Sequence, residues 1–114
     1  MNLLDGEMSG GVFTAEGVRI AGLSASDGPV TLGFRAEDAS VADDPEEAEI
    51  AAPVFTIELL GDATMLTVRA GGAIVSAKTH KDYRAAIGDA VGIRVPAGIC
   101  HLFDRETGQR LGAH

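Results

Sequence analysis

The chain has 114 residues, a formal net charge of −8 and only nine basic residues against seventeen acids. A phosphate backbone or an anionic bilayer surface is repelled by such a chain, so nucleic-acid binding and membrane-surface binding are disfavoured. A hydrophobic content of 46% supports one globular domain, but aromatic residues make up only 4%, so Val, Ile, Leu and Ala must fill the core.

The single cysteine, Cys100, rules out an internal disulfide framework and fits a reducing compartment. No apolar run approaches ~20 residues, and the N-terminus lacks the basic head and long apolar core of a signal peptide. The expectation is a soluble, cytoplasmic protein with no direct membrane insertion.

In chain order, Met1 to Leu4 read as a short apolar lead into an Asp5-Gly6 turn. Val12 to Ala15 and Val18 to Ala21 form a hairpin around Glu16-Gly17. Ser24 to Pro29 is a turn cluster, and Val30 to Arg35 a further strand. Residues Glu37 to Glu49 carry seven acids, no base and Pro45, which reads as a solvated loop. A calcium loop needs alternating acids around a central glycine, and Asp43-Asp44-Pro45-Glu46-Glu47 has none.

The clearest pattern runs from Pro53 to Lys78. Apolar and polar residues alternate from Val54 to Leu60 and from Thr64 to Arg69, resuming at Ile74. Gly61-Asp62 and Gly71-Gly72 separate these runs, which predicts an antiparallel meander with Pro53 as its first residue. Asp82 to Ile87 reads as a short helical turn ending at Gly88, followed by strands at Val91 to Val95 and His101 to Asp104. Thr107-Gly108 turns the chain into Arg110-Leu111. The fold class is all-β, an OB-fold or MOP-like barrel of short antiparallel strands. It is a single domain over 1–114, with an N-terminal strand lobe (1–23) beside the barrel (24–111).

Little of the sequence reads as catalytic. His80, His101 and His114 are scattered, with no i, i+4 pair, and His101 before Leu102-Phe103 reads as a structural hydrogen-bonder. Cys100 reads as a small buried thiol, because strand neighbours face opposite ways and cannot readily share a proton. Glu58 and Asp62 read as cross-strand ion-pair partners of Arg69 or Lys78. Ser76, Lys78, Thr79 and His80, gathered on one strand and its end, are candidates for oxyanion binding.

Four segments together resemble a known family. Gly33-Phe34-Arg35-Ala36-Glu37-Asp38 is similar to the "GIRPEH" signature in the accessory domain of sugar-importing ATP-binding-cassette ATPases. Glu58-Leu59-Leu60-Gly61-Asp62 resembles the next signature of that domain. Gly88 to Val91, His101-Leu102-Phe103-Asp104 and Thr107 to Leu111 resemble its close. Met1-Asn2-Leu3-Leu4 is similar to the "MNFL" that follows the nucleotide-binding domain. Ala36 and Asp38 depart from the signature's proline and histidine.

The resemblance implies a TOBE domain, C-terminal to an ATPase that supports carbohydrate or related solute import. It implies a part in homodimerisation of that ATPase at the cytoplasmic face of the plasma membrane, and in some members reception of inhibitory signals. ATP and magnesium would belong to the missing ATPase part, since no Walker or "LSGGQ" motif occurs in these residues. Partners would be a second copy, the fused ATPase domain and, indirectly, membrane permease subunits. Phe34, Phe103 and Leu59-Leu60-Gly61 are the expected self-contact, with Arg35 and Glu37 either at that interface or in a local salt-bridged turn. The alternative is a free-standing oxyanion-binding domain.

Overall fold

The computed structural model describes residues 1–42 and 44–111 of the chain. Asp43 of the acidic run and His114 of the scattered histidines therefore lie outside the described residues. Eleven strands are described: β1 (Asn2–Ser9), β2 (Val12–Ala15), β3 (Val18–Ile20), β4 (Gly28–Phe34), β5 (Ser40–Ala42), β6 (Ile50–Leu59), β7 (Ala63–Ala70), β8 (Ala73–His80), β9 (Ala90–Arg94), β10 (His101–Asp104) and β11 (Arg110–Leu111). Among the described residues the only helical pieces are 3-10 turns at Pro45–Glu47 and Ala97–Ile99. Among the described residues no helix is long and apolar enough to cross a membrane.

The sheet runs β11-β10-β4-β1-β2-β3-β6-β7-β8, with β9 pairing β6 and β5 pairing β9. All its pairings are antiparallel, as the alternating pattern predicts. It does not close into a barrel by backbone ladders: β11 and β8 remain at its ends. Instead, the Asn2 side chain bridges β1 to β8, donating to the Ser76 carbonyl (2.7 Å) and accepting from the Ser76 amide (2.9 Å).

Residues 1–23, expected as a lobe beside the barrel, lie within this sheet between β4 and β6. Leu4, Met8, Phe13 and Ile20 belong to the same buried cluster as Leu32, Ile50, Leu66, Val68, Ile93 and Leu102. The Asp5-Gly6 turn is not formed, because β1 runs straight through it. Gly6 is there for space: a Cβ would come 2.5 Å from the Phe13 ring and from the Thr14 carbonyl oxygen.

Pro53 is not a first strand residue. It sits inside β6, where the strand stops pairing with β9 and starts pairing with β7. The register shifts between Val54 and Thr56, the kind of irregularity beside which a residue without an amide hydrogen is tolerated. The shift also breaks the alternation read for β6. Val54 is buried and Ile57 half-buried, while Phe55 and Thr56 are exposed.

The acidic run is more ordered than a solvated loop. It contains β5 and a 3-10 turn whose Asp44 carboxylate accepts from the Glu46 amide. Glu49 turns inward and accepts from the Val95 amide at 2.6 Å. The segment 82–87 is not helical. Tyr83 and Ala85 pack on the core, and the Asp89 carboxylate accepts from the Ala86 amide to shape the turn at Gly88.

Candidate functional site

The described residues hold no cluster of three or more metal-ligating side chains. Cys100 is fully buried, and its thiol donates to the Pro96 carbonyl at 3.5 Å. Burial, aided by the Glu49 carboxylate, pushes the thiol from its ordinary 9.0 up to about 11. It stays protonated and unreactive at neutral pH.

Because the folded pKa is raised, stability is full below the unfolded value near 9.0. It falls as pH rises toward about 11, where the unfolded chain alone has gained the thiolate. Urea midpoints measured across this window are expected to drop for the wild type, with a shallower drop for Cys100→Ala. Equal slopes would contradict this reading.

The motif residues divide into three groups. Phe34 and Leu102 are fully buried, so Phe34 supports the core of β4 and does not reach a partner. Gly33 lies opposite both Leu3 and His101, with the Met1 sulfur and the Leu3 side chain occupying the space a Cβ would take.

The second group shapes the turn between β10 and β11. The Asp104 carboxylate accepts from the amides of Glu106 (2.8 Å) and Thr107 (3.0 Å), and these hydrogen bonds hold it below the usual carboxylate range. Arg110 donates to Nδ1 of His101 at 2.9 Å, which makes His101 a structural acceptor on the sheet's outer face. Phe103, half-buried, lies opposite Thr31 on one side and Arg110 on the other.

The third group is exposed. Leu59 (60% exposed) and Leu60 (41%) stand at the tip of the β6–β7 hairpin, where Gly61 takes φ +88°. Arg35 and Glu37 are exposed, and the salt-bridged turn expected for them is not formed. Among the described residues the ion pairs are Arg94–Glu47 (3.4 Å) and Arg105–Glu7 (3.7 Å), both at the surface and worth at most about 1 kcal/mol. Glu58 and Asp62 are therefore not in the ion pairs expected for them. Arg69 instead stacks on Phe55, its guanidinium carbon 4.5 Å from the ring centroid.

The four oxyanion candidates do not converge. Alternation along β8 sends Ser76, Lys78 and His80 to one face and Thr79 to the other. The Ser76 hydroxyl is already shared with Thr67 at 3.1 Å.

Two features escaped the sequence reading. The Asn2 bridge joins residues 74 positions apart in the chain, and the Phe55–Arg69 stack forms beside the irregularity in β6. Asn2→Ala removes two hydrogen bonds at about 0.5–1.5 kcal/mol each and leaves the Ser76 backbone unpartnered. The expected loss is about 1–3 kcal/mol by urea denaturation, and a loss within error of zero would show the bridge to be dispensable.

The family model of the TOBE domain matches residues 32–103. The chain is 40% identical over 115 residues to the sn-glycerol-3-phosphate import ATP-binding protein UgpC of Jannaschia sp. (strain CCS1), covering 97% of this chain and 32% of that protein. It is 32% identical over 120 residues to the UgpC of Salmonella typhi, covering 97% of this chain and 33% of that one. It is also 32% identical over 126 residues to the xylose/arabinose import ATP-binding protein XacK of Haloferax volcanii, with 97% and 32% covered. The chain thus spans about a third of the length of the curated relatives it matches. The motif order, the all-antiparallel strand fold and the match from Leu32 to Phe103 agree: this chain belongs to the TOBE domain family.

Proposed function

We propose that the chain is the accessory domain of a longer importer ATP-binding protein, C-terminal to its ATPase and acting at the cytoplasmic face of the membrane. The observation that carries this reading is near-complete coverage of the chain by relatives about three times as long, each an import ATP-binding protein. In this reading the parent hydrolyses ATP with magnesium in its own nucleotide site, working with membrane permease subunits. The present domain supplies none of that chemistry. Its task is to support pairing of two ATPase subunits for import of a carbohydrate or related solute, and regulatory signals act through the same surface.

The geometry suits a contact module. Of the family-motif residues, Leu59, Leu60 and the half-exposed Phe103 offer apolar surface, while Phe34 and Leu102 build the strands beneath. The test is to produce the parent with and without residues 1–114, in cells whose own importer ATP-binding subunit has been deleted. Solute uptake and subunit mass are then measured. Lower uptake together with a shift from dimer to monomer is expected on removal. Unchanged pairing and unchanged uptake would overturn the reading.

A further inference from the structure

The β6–β7 ladder starts at Val54 opposite Val68, although β6 reaches back to Ile50 and β7 runs on to Ala70. Continued by one residue, the register would set Pro53 against Arg69, and proline has no amide hydrogen to offer the facing backbone. The ladder ends there, and the β2–β3 turn is fastened across the opening. The Glu16 carbonyl accepts from the Gly71 amide at 2.7 Å, and the Gly17 carbonyl accepts from the Ala51 amide at 3.0 Å. A cleft of about 570 Å³ remains, bordered by Glu16, Pro53, Arg69, Ile74 and the backbone between them. That size falls within the range of small-molecule sites, about 300–1,000 Å³.

Two side chains of opposite charge border the cleft, Glu16 on the β2–β3 turn and Arg69 at the end of β7. Among the described residues neither is in an ion pair. Stacking on Phe55 covers one face of the Arg69 guanidinium, which leaves its in-plane N–H groups to grip a carboxylate. Pro53 and Ile74 (49% exposed) add apolar surface to the same cleft.

We propose that this cleft binds a free α-amino acid with an apolar side chain. Its carboxylate pairs with Arg69, its ammonium with Glu16, and its side chain lies on Pro53 and Ile74. One charge of each sign selects a ligand that is itself a zwitterion. A dianion such as phosphate would meet a single guanidinium, with the Glu16 carboxylate at the same cleft and a chain of net charge −8 behind it. An organic cation would bring a second positive charge to the cleft of Arg69 and leave that guanidinium unpaired. The two backbone hydrogen bonds of the β2–β3 turn fix the turn that carries Glu16 before any ligand arrives, which lowers the cost of binding. None of the four oxyanion candidates on β8 borders this cleft, so it is a different site.

The test is calorimetric titration of the full chain with leucine, leucinamide and N-acetylleucine. Leucinamide lacks the carboxylate and N-acetylleucine the ammonium, so each is expected to bind roughly tenfold or more weakly than leucine. Arg69→Gln should weaken leucine by a similar factor and leave leucinamide unaffected. Glu16→Gln should weaken leucine and leave N-acetylleucine unaffected. Both side chains are exposed, and unchanged circular dichroism separates these effects from misfolding. The comparison of the three ligands on the wild type needs no variant at all. No heat from leucine at millimolar concentration would overturn the proposal. So would equal binding of the three ligands, or displacement of leucine by phosphate at equal concentration, which would mark a plain anion site. The importer reading stands apart from these outcomes, because uptake and parent size test it separately.

Discussion

Phe13→Ala is expected to destabilise the chain by about 3–5 kcal/mol, the largest effect of any single truncation considered. Phe13 is fully buried on β2, lies opposite both Met8 and Ile20, and its ring fills the space left by Gly6. With only four Phe and no Trp in the chain, no other side chain of comparable volume stands ready to close the cavity. A urea titration followed by circular dichroism measures the loss. A change below about 1 kcal/mol would show that the β1–β2 layer collapses freely around the gap, contrary to the packing described.

Gly6→Ala should act on the same contact from the other side. The added methyl would sit 2.5 Å from both the Phe13 ring and the Thr14 carbonyl oxygen. The ring can shift, but the carbonyl belongs to the neighbouring strand and moves only if β1 and β2 separate. Overpacking of this kind costs about 1–3 kcal/mol and can exceed that where backbone must yield. The two substitutions touch and should not be additive: alanine at position 6 is expected to cost less when Phe13 is already alanine. Strict additivity in the double variant would refute the shared contact.

These two residues also show where the sequence was legible. Hairpins closed by glycine turns were readable locally. Glu16-Gly17, Gly61-Asp62 and Gly71-Gly72 each turn the chain, and their glycines take positive φ of 75°, 88°, 58° and 74°. Asp5-Gly6 carries the same local signature but lies mid-strand, because its glycine answers to Phe13 across the sheet and not to a turn. Distant pairings had no local mark either. Ser40 to Ala42 becomes a strand only because Ile93 and its neighbours lie beside it, and Ile50 to Ala52 because β9 does.

The surface was read less well than the strands. Motif spacing identified the family segments, but not which of their side chains face outward. Phe34 and Leu102 went to the core, His101 and Asp104 to hydrogen bonds that fix a turn, and Leu59 and Leu60 to the surface. Glu58 and Lys78 were considered as an ion pair within one chain. The register holds them on either side of Met65, two strands apart, too far to pair within the chain.

The central claim is that this chain is one part of a longer importer ATP-binding protein. An antibody raised against it, applied to a denaturing gel of its source cells, tests that claim most directly. The account predicts a band of about three times the chain's own mass, because the chain covers 32–33% of its relatives. A single band at the mass of the 114-residue chain alone would contradict it.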